Sequence, residues 1–91
     1  MGWRVAQIAA EVAPFAKTGG LGDVVAGLSR ALGRRGHDVR VFLPFYQRVA
    51  KLDFPFVVVD FLRDLEIRLG ERRLTYSVLT ARLPDSEVDV Y

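Results

Sequence analysis

Lys17-Thr18-Gly19-Gly20-Leu21-Gly22-Asp23 is the stretch on which the reading of this chain turns. To its left, Arg4-Val5-Ala6-Gln7-Ile8-Ala9 reads as a short strand. To its right, Leu21, Val24, Val25, Leu28 and Leu32 recur at helical spacing and mark one apolar face, expected to meet the core. A cationic, glycine-rich turn thus joins a strand to the first turn of a helix. The first amides of a helix lack intrahelical partners, and the helix dipole adds partial positive charge there. Glycine lets an anion approach such backbone closely, and Lys17 adds a full charge beside it. The stretch is not a Walker A loop and does not match the G-x-G-x-x-G dinucleotide fingerprint. By itself it leaves two readings open, an anion site at a helix N-terminus or a plain tight turn.

Working outward, the first strand, about residues 4–9, carries Val5, Ala6, Ile8 and Ala9 on both faces. That pattern predicts a central parallel strand covered on either side. Residues 11–18 form a loop, since Pro14 forbids a helix through it. The helix runs from about Leu21 to Arg35, with Asp23 in its first turn and Arg34 and Arg35 in its last. Gly33 and Gly36 end it, and Gly36 suits a left-handed cap. Residues 38–44 make a second strand, stopped by Pro44. Strand, helix, strand within about 40 residues is a βαβ unit with a right-handed crossover. Ligands of such sheets gather at the carboxyl ends of the strands, where the Lys17 loop lies.

Further on, residues 46–51 allow one helical turn, and part of 54–62 reads as a strand broken by Pro55. Residues 65–69 and 74–79 alternate apolar and polar about a turn at 70–72, which predicts a hairpin with one wet face. Pro84-Asp85-Ser86 is a turn, and Val88–Tyr91 begins another strand. The fold class is α/β: a partial Rossmann-like βαβ unit plus a β-hairpin.

Composition narrows the function. With 91 residues, 51% of them hydrophobic and 26% charged, the chain is globular, but it buries only about 60–65% of its unfolded surface. A net charge of +2, with arginines scattered among acids, argues against nucleic acid. No apolar run nears the length of a membrane span, so no membrane partner is expected. The strand begins at once, leaving no room for a signal peptide, and cysteine is absent; both fit a cytoplasmic protein. There is no Ser/His/Asp set, no metal-ligand cluster and no acid/base pair, so neither a catalytic residue nor a metal or other cofactor is assigned.

Several residues carry two readings. Lys17 is either an ion-site cation or a surface loop lysine, and its place beside the glycines favours the first. Gly19 and Gly20 serve a turn needing positive φ or an anion's approach, and one property supplies both. Asp23 complements the helix dipole, yet a carboxylate beside a phosphate needs hydroxyl partners, which a sugar would offer. His37, the only histidine, reads as structural. Glu11, at the mouth of the first strand, and Tyr46, after the second, either line a cleft or pack the loops.

The longer string Glu11-Val12-Ala13-Pro14-Phe15-Ala16-Lys17-Thr18-Gly19-Gly20-Leu21-Gly22-Asp23-Val24 resembles the N-terminal signature of bacterial glycogen synthases and plant starch synthases, Lys-x-Gly-Gly-Leu-x-Asp-Val. The likeness is dense from residue 4 to about 46 and loose beyond. It implies two Rossmann-like domains facing across a cleft, and transfer of glucose from ADP-glucose, or UDP-glucose in some relatives, to the non-reducing end of an α-1,4-glucan with retention. It assigns donor binding to Lys17, Gly19, Gly20 and Asp23. It also implies that residues 1–91 are the incomplete N-terminal part of the first catalytic domain, cut within a strand and inactive alone. A free-standing nucleotide- or anion-binding module, or an assembly domain, is the alternative. The cut leaves a bare sheet face holding Val5, Ile8, Val41 and Leu43, so self-association is expected.

Overall fold

Arg4–Ile8 form β1 and Asp38–Phe42 form β2, paired in parallel from Arg4 opposite Asp38 to Ile8 opposite Phe42. Between them runs α1, Gly20–Arg34, ended by Gly36 at φ +89°, in the left-handed region. The computed structural model describes residues 2–91. The strand–helix–strand unit lies where the sequence puts it. Then follow α2 (Gln47–Ala50), β3 (Val57–Val58), a 3₁₀ turn at Asp60–Leu62, β4 (Leu65–Leu69), β5 (Arg72–Tyr76), β6 (Leu79–Arg82) and β7 (Asp89–Val90). Five strands form one sheet in the order β1-β2-β7-β6-β3, and β4-β5 stand apart as a hairpin. β7 is parallel to β2 and antiparallel to β6, so the sheet is mixed.

Three expectations are corrected. First, β1 lies at the edge of the sheet, with only its Val5 and Gln7 side turned to α1, while Ile8 is 84% exposed. Second, α1 is rotated by one residue, about 100°, from the expected face. Gly22, Val25, Ala26 and Ser29 are buried against the sheet, whereas Leu21, Val24 and Leu28 are exposed. Small residues let the helix sit close: a Cβ on Gly33 would lie 3.3 Å from the Val88 side chain. Third, Val41, expected on a bare face, is fully buried; Val5 and Leu43 are half-buried.

The core gathers Val12, Phe15, Val25, Val39, Val41, Leu83, Val88 and Val90. Phe15 packs on Phe54 at 4.6 Å between ring centres. Ser29 is buried within it and takes a hydrogen bond from Gln7 Nε2 at 3.4 Å. The expected hairpin forms, but its turn is only Gly70, at φ +62°, and Glu71, and its second strand begins at Arg72, opposite Leu69, two residues earlier than expected. That strand also ends earlier than expected, because the chain leaves β5 after Tyr76 and starts β6 at Leu79. The hairpin's apolar face is wet too: Ile67, Leu69, Leu74 and Tyr76 are all exposed.

Candidate functional site

Residues 9–23 form the connection from β1 to α1, and its shape follows from what it buries. The Ala9 amide still donates to Phe42 O at 3.0 Å, extending the β1–β2 pairing. The chain then doubles back, with the Ala16 amide donating to Val12 O at 2.9 Å, and sinks Val12, Phe15 and Ala16 into the core. The Ala13 amide donates to Gly22 O at 3.0 Å, tying this knuckle to the first turn of α1. A Cβ on Gly22 would lie 3.0 Å from Ala16 O and 3.3 Å from Ala13 N, so a side chain there would crowd the backbone of the knuckle.

Gly19 and Gly20 differ from Gly22. Gly19 is the N-cap residue with φ −165°, extended backbone open to any residue, and neither it nor Gly20 has positive φ. The positive-φ reading of this pair is therefore overturned. A Cβ on either would meet nothing within 4 Å, so the fold does not require glycine at these positions. No side chain caps the helix start, and Gly19, Gly20 and Leu21 there are exposed, the first two without side chains. This backbone is open to an approaching acceptor.

Charges stand on both sides of it. Lys17 Nζ lies 2.9 Å from Asp23 Oδ2, with both side chains about half exposed. A pair so exposed is worth about 0–1 kcal/mol and is easily exchanged for another partner. Glu11 holds Thr18: the Thr18 amide donates to Oε1 at 2.7 Å, and its hydroxyl lies 2.8 Å from Oε1 and 2.6 Å from Oε2. The Thr18 hydroxyl and then its amide stabilise the ionised form, with Arg48 adding a weaker attraction. They hold the Glu11 carboxyl below its ordinary value of 4.5.

Tyr46 Oη donates to Ala10 O at 3.0 Å, and the Arg48 guanidinium lies over its ring at 4.9 Å. Both residues left open by the sequence thus hold loops, and they also line one hollow. That hollow, about 590 Å³, is bounded by Ala10, Glu11, Tyr46, Gln47, Arg48 and Lys51. A larger one of about 640 Å³ is apolar and includes Ile8, Phe42, Phe45, Phe56 and Tyr91. Lys17, Gly19, Gly20 and Asp23 are all exposed, with Lys17 and Asp23 paired, and they line neither hollow. His37 is at the other end of the strands, where its Nδ1 accepts the Trp3 amide at 3.0 Å, a structural duty. Sequence reasoning missed the Thr18 contacts to Glu11 and the Arg48 charge near it, for which spacing gives no signal. Among the described residues, no group of three or more His, Cys, Asp or Glu is placed to hold a metal ion.

Comparison with known proteins gives a consistent result. The family model described as the starch synthase catalytic domain matches residues 4–91. The chain is 51% identical over 67 residues to glycogen synthase 2 of Geobacter metallireducens, covering 74% of this chain and 13% of that protein. It is 40% identical over 86 residues to glycogen synthase 1 of Synechocystis, covering 92% of this chain and 16% of that protein. Among solved structures, the catalytic domain of starch synthase IV from Arabidopsis thaliana, bound to ADP and acarbose, superposes with a TM-score of 0.82. It is 35% identical and matches 99% of this chain and 18% of its own. The chain therefore spans less than a fifth of these relatives' length.

Proposed function

The chain belongs to the family of starch synthase catalytic domains, and from that premise we propose that it forms the N-terminal part of a sugar-nucleotide site in a longer retaining glucosyltransferase. The donor is ADP-glucose and the acceptor the non-reducing end of an α-1,4-glucan, in a cytoplasmic enzyme. The starch synthase with the matching structure carries ADP, which supports an adenine nucleotide. The observation that carries the reading is the open, uncapped start of α1 with a half-exposed lysine beside it.

In this reading the donor's phosphate displaces Asp23 from Lys17. The exposed ion pair costs at most about 1 kcal/mol to break, and a charge-assisted bond to phosphate replaces it. Gly19 and Gly20 present backbone amides to the same donor. Asp23, released, accepts hydrogen bonds from sugar hydroxyls. Catalysis then rests on positioning and on stabilising the charge of the departing diphosphate, most of which the opposing domain supplies.

The test is made in the longer enzyme. Lys17→Ala and Gly20→Val should each lower kcat/KM for ADP-glucose by about 100-fold. The fold should survive, because a Cβ at Gly20 meets nothing within 4 Å. Unchanged donor kinetics would remove Lys17 from the site. Glucan extension by the 91-residue chain alone would refute the need for a second domain.

One observation favours a second property, self-association of the isolated chain. It exposes 6672 Å², about a quarter above the roughly 5,300 Å² of a folded monomer of 10.2 kDa. Its radius of gyration is 14.1 Å, against about 12 Å for a compact chain of this length. Sedimentation at micromolar concentration should show dimers or larger species; a cooperatively unfolding monomer counts against this.

A further inference from the structure

We infer that Glu11 is the positioning residue of the glycine loop: through Thr18 it fixes Lys17 and the Gly19–Gly20 backbone relative to the sheet. The inference rests on the donor-site reading above and adds to it the device that sets the loop's place.

Glu11 stands on rigid ground. On its N-terminal side, Ala9 is bonded to β2 and the Ala10 carbonyl accepts the Tyr46 hydroxyl. On its C-terminal side, Val12 is fully buried and bonded to Ala16. The backbone that carries the carboxylate therefore moves with the core. Residues 17–20, by contrast, are all exposed, and none of them has a side chain in the core. Backbone hydrogen bonds outside helices and strands tie Ala13 and Ala16 but neither Lys17 nor Thr18.

Across this gap the carboxylate makes its contacts to Thr18 at 2.6 to 2.8 Å, short for hydrogen bonds and charge-assisted. Two oxygens gripping both an amide and a hydroxyl of one residue fix its orientation as well as its distance. Thr18 lies between the lysine and the two glycines, so its orientation sets theirs. Arg48 at the start of α2 adds a weaker charge attraction to the carboxylate. Glu11 touches neither Lys17 nor Asp23, whose own pairing is separate. It acts on the donor only through the loop. A loop displaced by 1 Å loses about 100-fold in reactions that depend on position.

The experiment measures donor kinetics in the longer enzyme for Glu11→Ala, Thr18→Val, Thr18→Ser and Lys17→Ala, with melting temperature alongside. Glu11→Ala should lower kcat/KM for ADP-glucose by about 10- to 100-fold, with Thr18→Val giving a smaller loss. Thr18→Ser, which keeps hydroxyl and amide, should stay within about twofold of the parent. Hydrogen exchange at the Thr18 amide, the one bonded to Glu11, should quicken in the first two variants alone. If Glu11→Ala does not fold, Thr18→Val and its serine rescue decide the matter. Normal donor kinetics in Thr18→Val and Glu11→Ala, with Lys17→Ala crippled, would overturn the role of Glu11 and leave the donor site standing. A loss in Thr18→Val that serine does not restore would also overturn it. Normal kinetics in Lys17→Ala would bring down the donor-site reading, and this inference with it.

Discussion

The β1–α1–β2 unit and the β4–β5 hairpin were equally legible as local patterns, yet one is woven into a core and the other is held mainly by its own pairing. In the first, each element buries something against another: Val12 and Phe15 from the loop, Val25 and Ala26 from the helix, Val39 and Val41 from the strand. The hairpin has register and a correct turn, but Leu65, Ile67, Leu69, Leu74 and Tyr76 share a face with little to lie on. It is tied to the rest at its base, where the Val78 amide donates to Leu62 O at 2.9 Å and the Asp64 amide to Ser77 Oγ at 2.8 Å. Alternation reports that a strand has two kinds of face; it does not report what covers the apolar one.

The contrast can be broken most forcefully with one substitution on each side. Leu83→Ala, at a fully buried position of the core into which the β1–α1–β2 unit packs, should destabilise the chain by about 2–5 kcal/mol in denaturant titration. Leu69→Ala, the same change at a residue 57% exposed, should cost about 0.5 kcal/mol or less. Equal costs would mean that the hairpin face is covered in solution, as by a second copy of the chain. Next in size is Gly22→Ala, which pushes a methyl against Ala16 O and should cost about 1–3 kcal/mol by the same titration; Gly20→Ala should be near neutral. A tolerated Gly22→Ala would show that the knuckle yields more readily than its contacts suggest.

A gentler comparison uses hydrogen exchange. Amides of β4 and β5 should exchange through local opening, while those of β2, flanked on both sides, should require opening of the sheet. Similar protection in both would remove the distinction. The smallest effect concerns pH. Because the folded-state value of Glu11 lies below 4.5, its contribution is complete above that value and is lost as pH falls through the folded one. The Thr18 amide should therefore lose protection under acid conditions before the Ala16 amide, whose acceptor is a backbone carbonyl. Simultaneous loss of both would count against a separate Glu11 tie.

By itself the sequence determined what short-range chemistry can settle. The order of β1, α1 and β2, the left-handed cap at Gly36 and the turn at Gly70 all follow from residues a few positions apart. Only the tertiary structure decided the rest. α1 carries two adjacent apolar stripes, and the smaller side chains won the sheet because they allow close approach, a choice that depends on Val88 and β2. β7 enters between β2 and β6 through pairings with residues about 50 and 10 positions away, which no local period encodes. The grip of Glu11 on Thr18 depends on the loop shape that buries Val12 and Phe15 between them. The same burial frees Gly19 and Gly20 to face outward. Periodicity gives each element its faces; the partner that meets a face comes from elsewhere in the chain, and packing decides it.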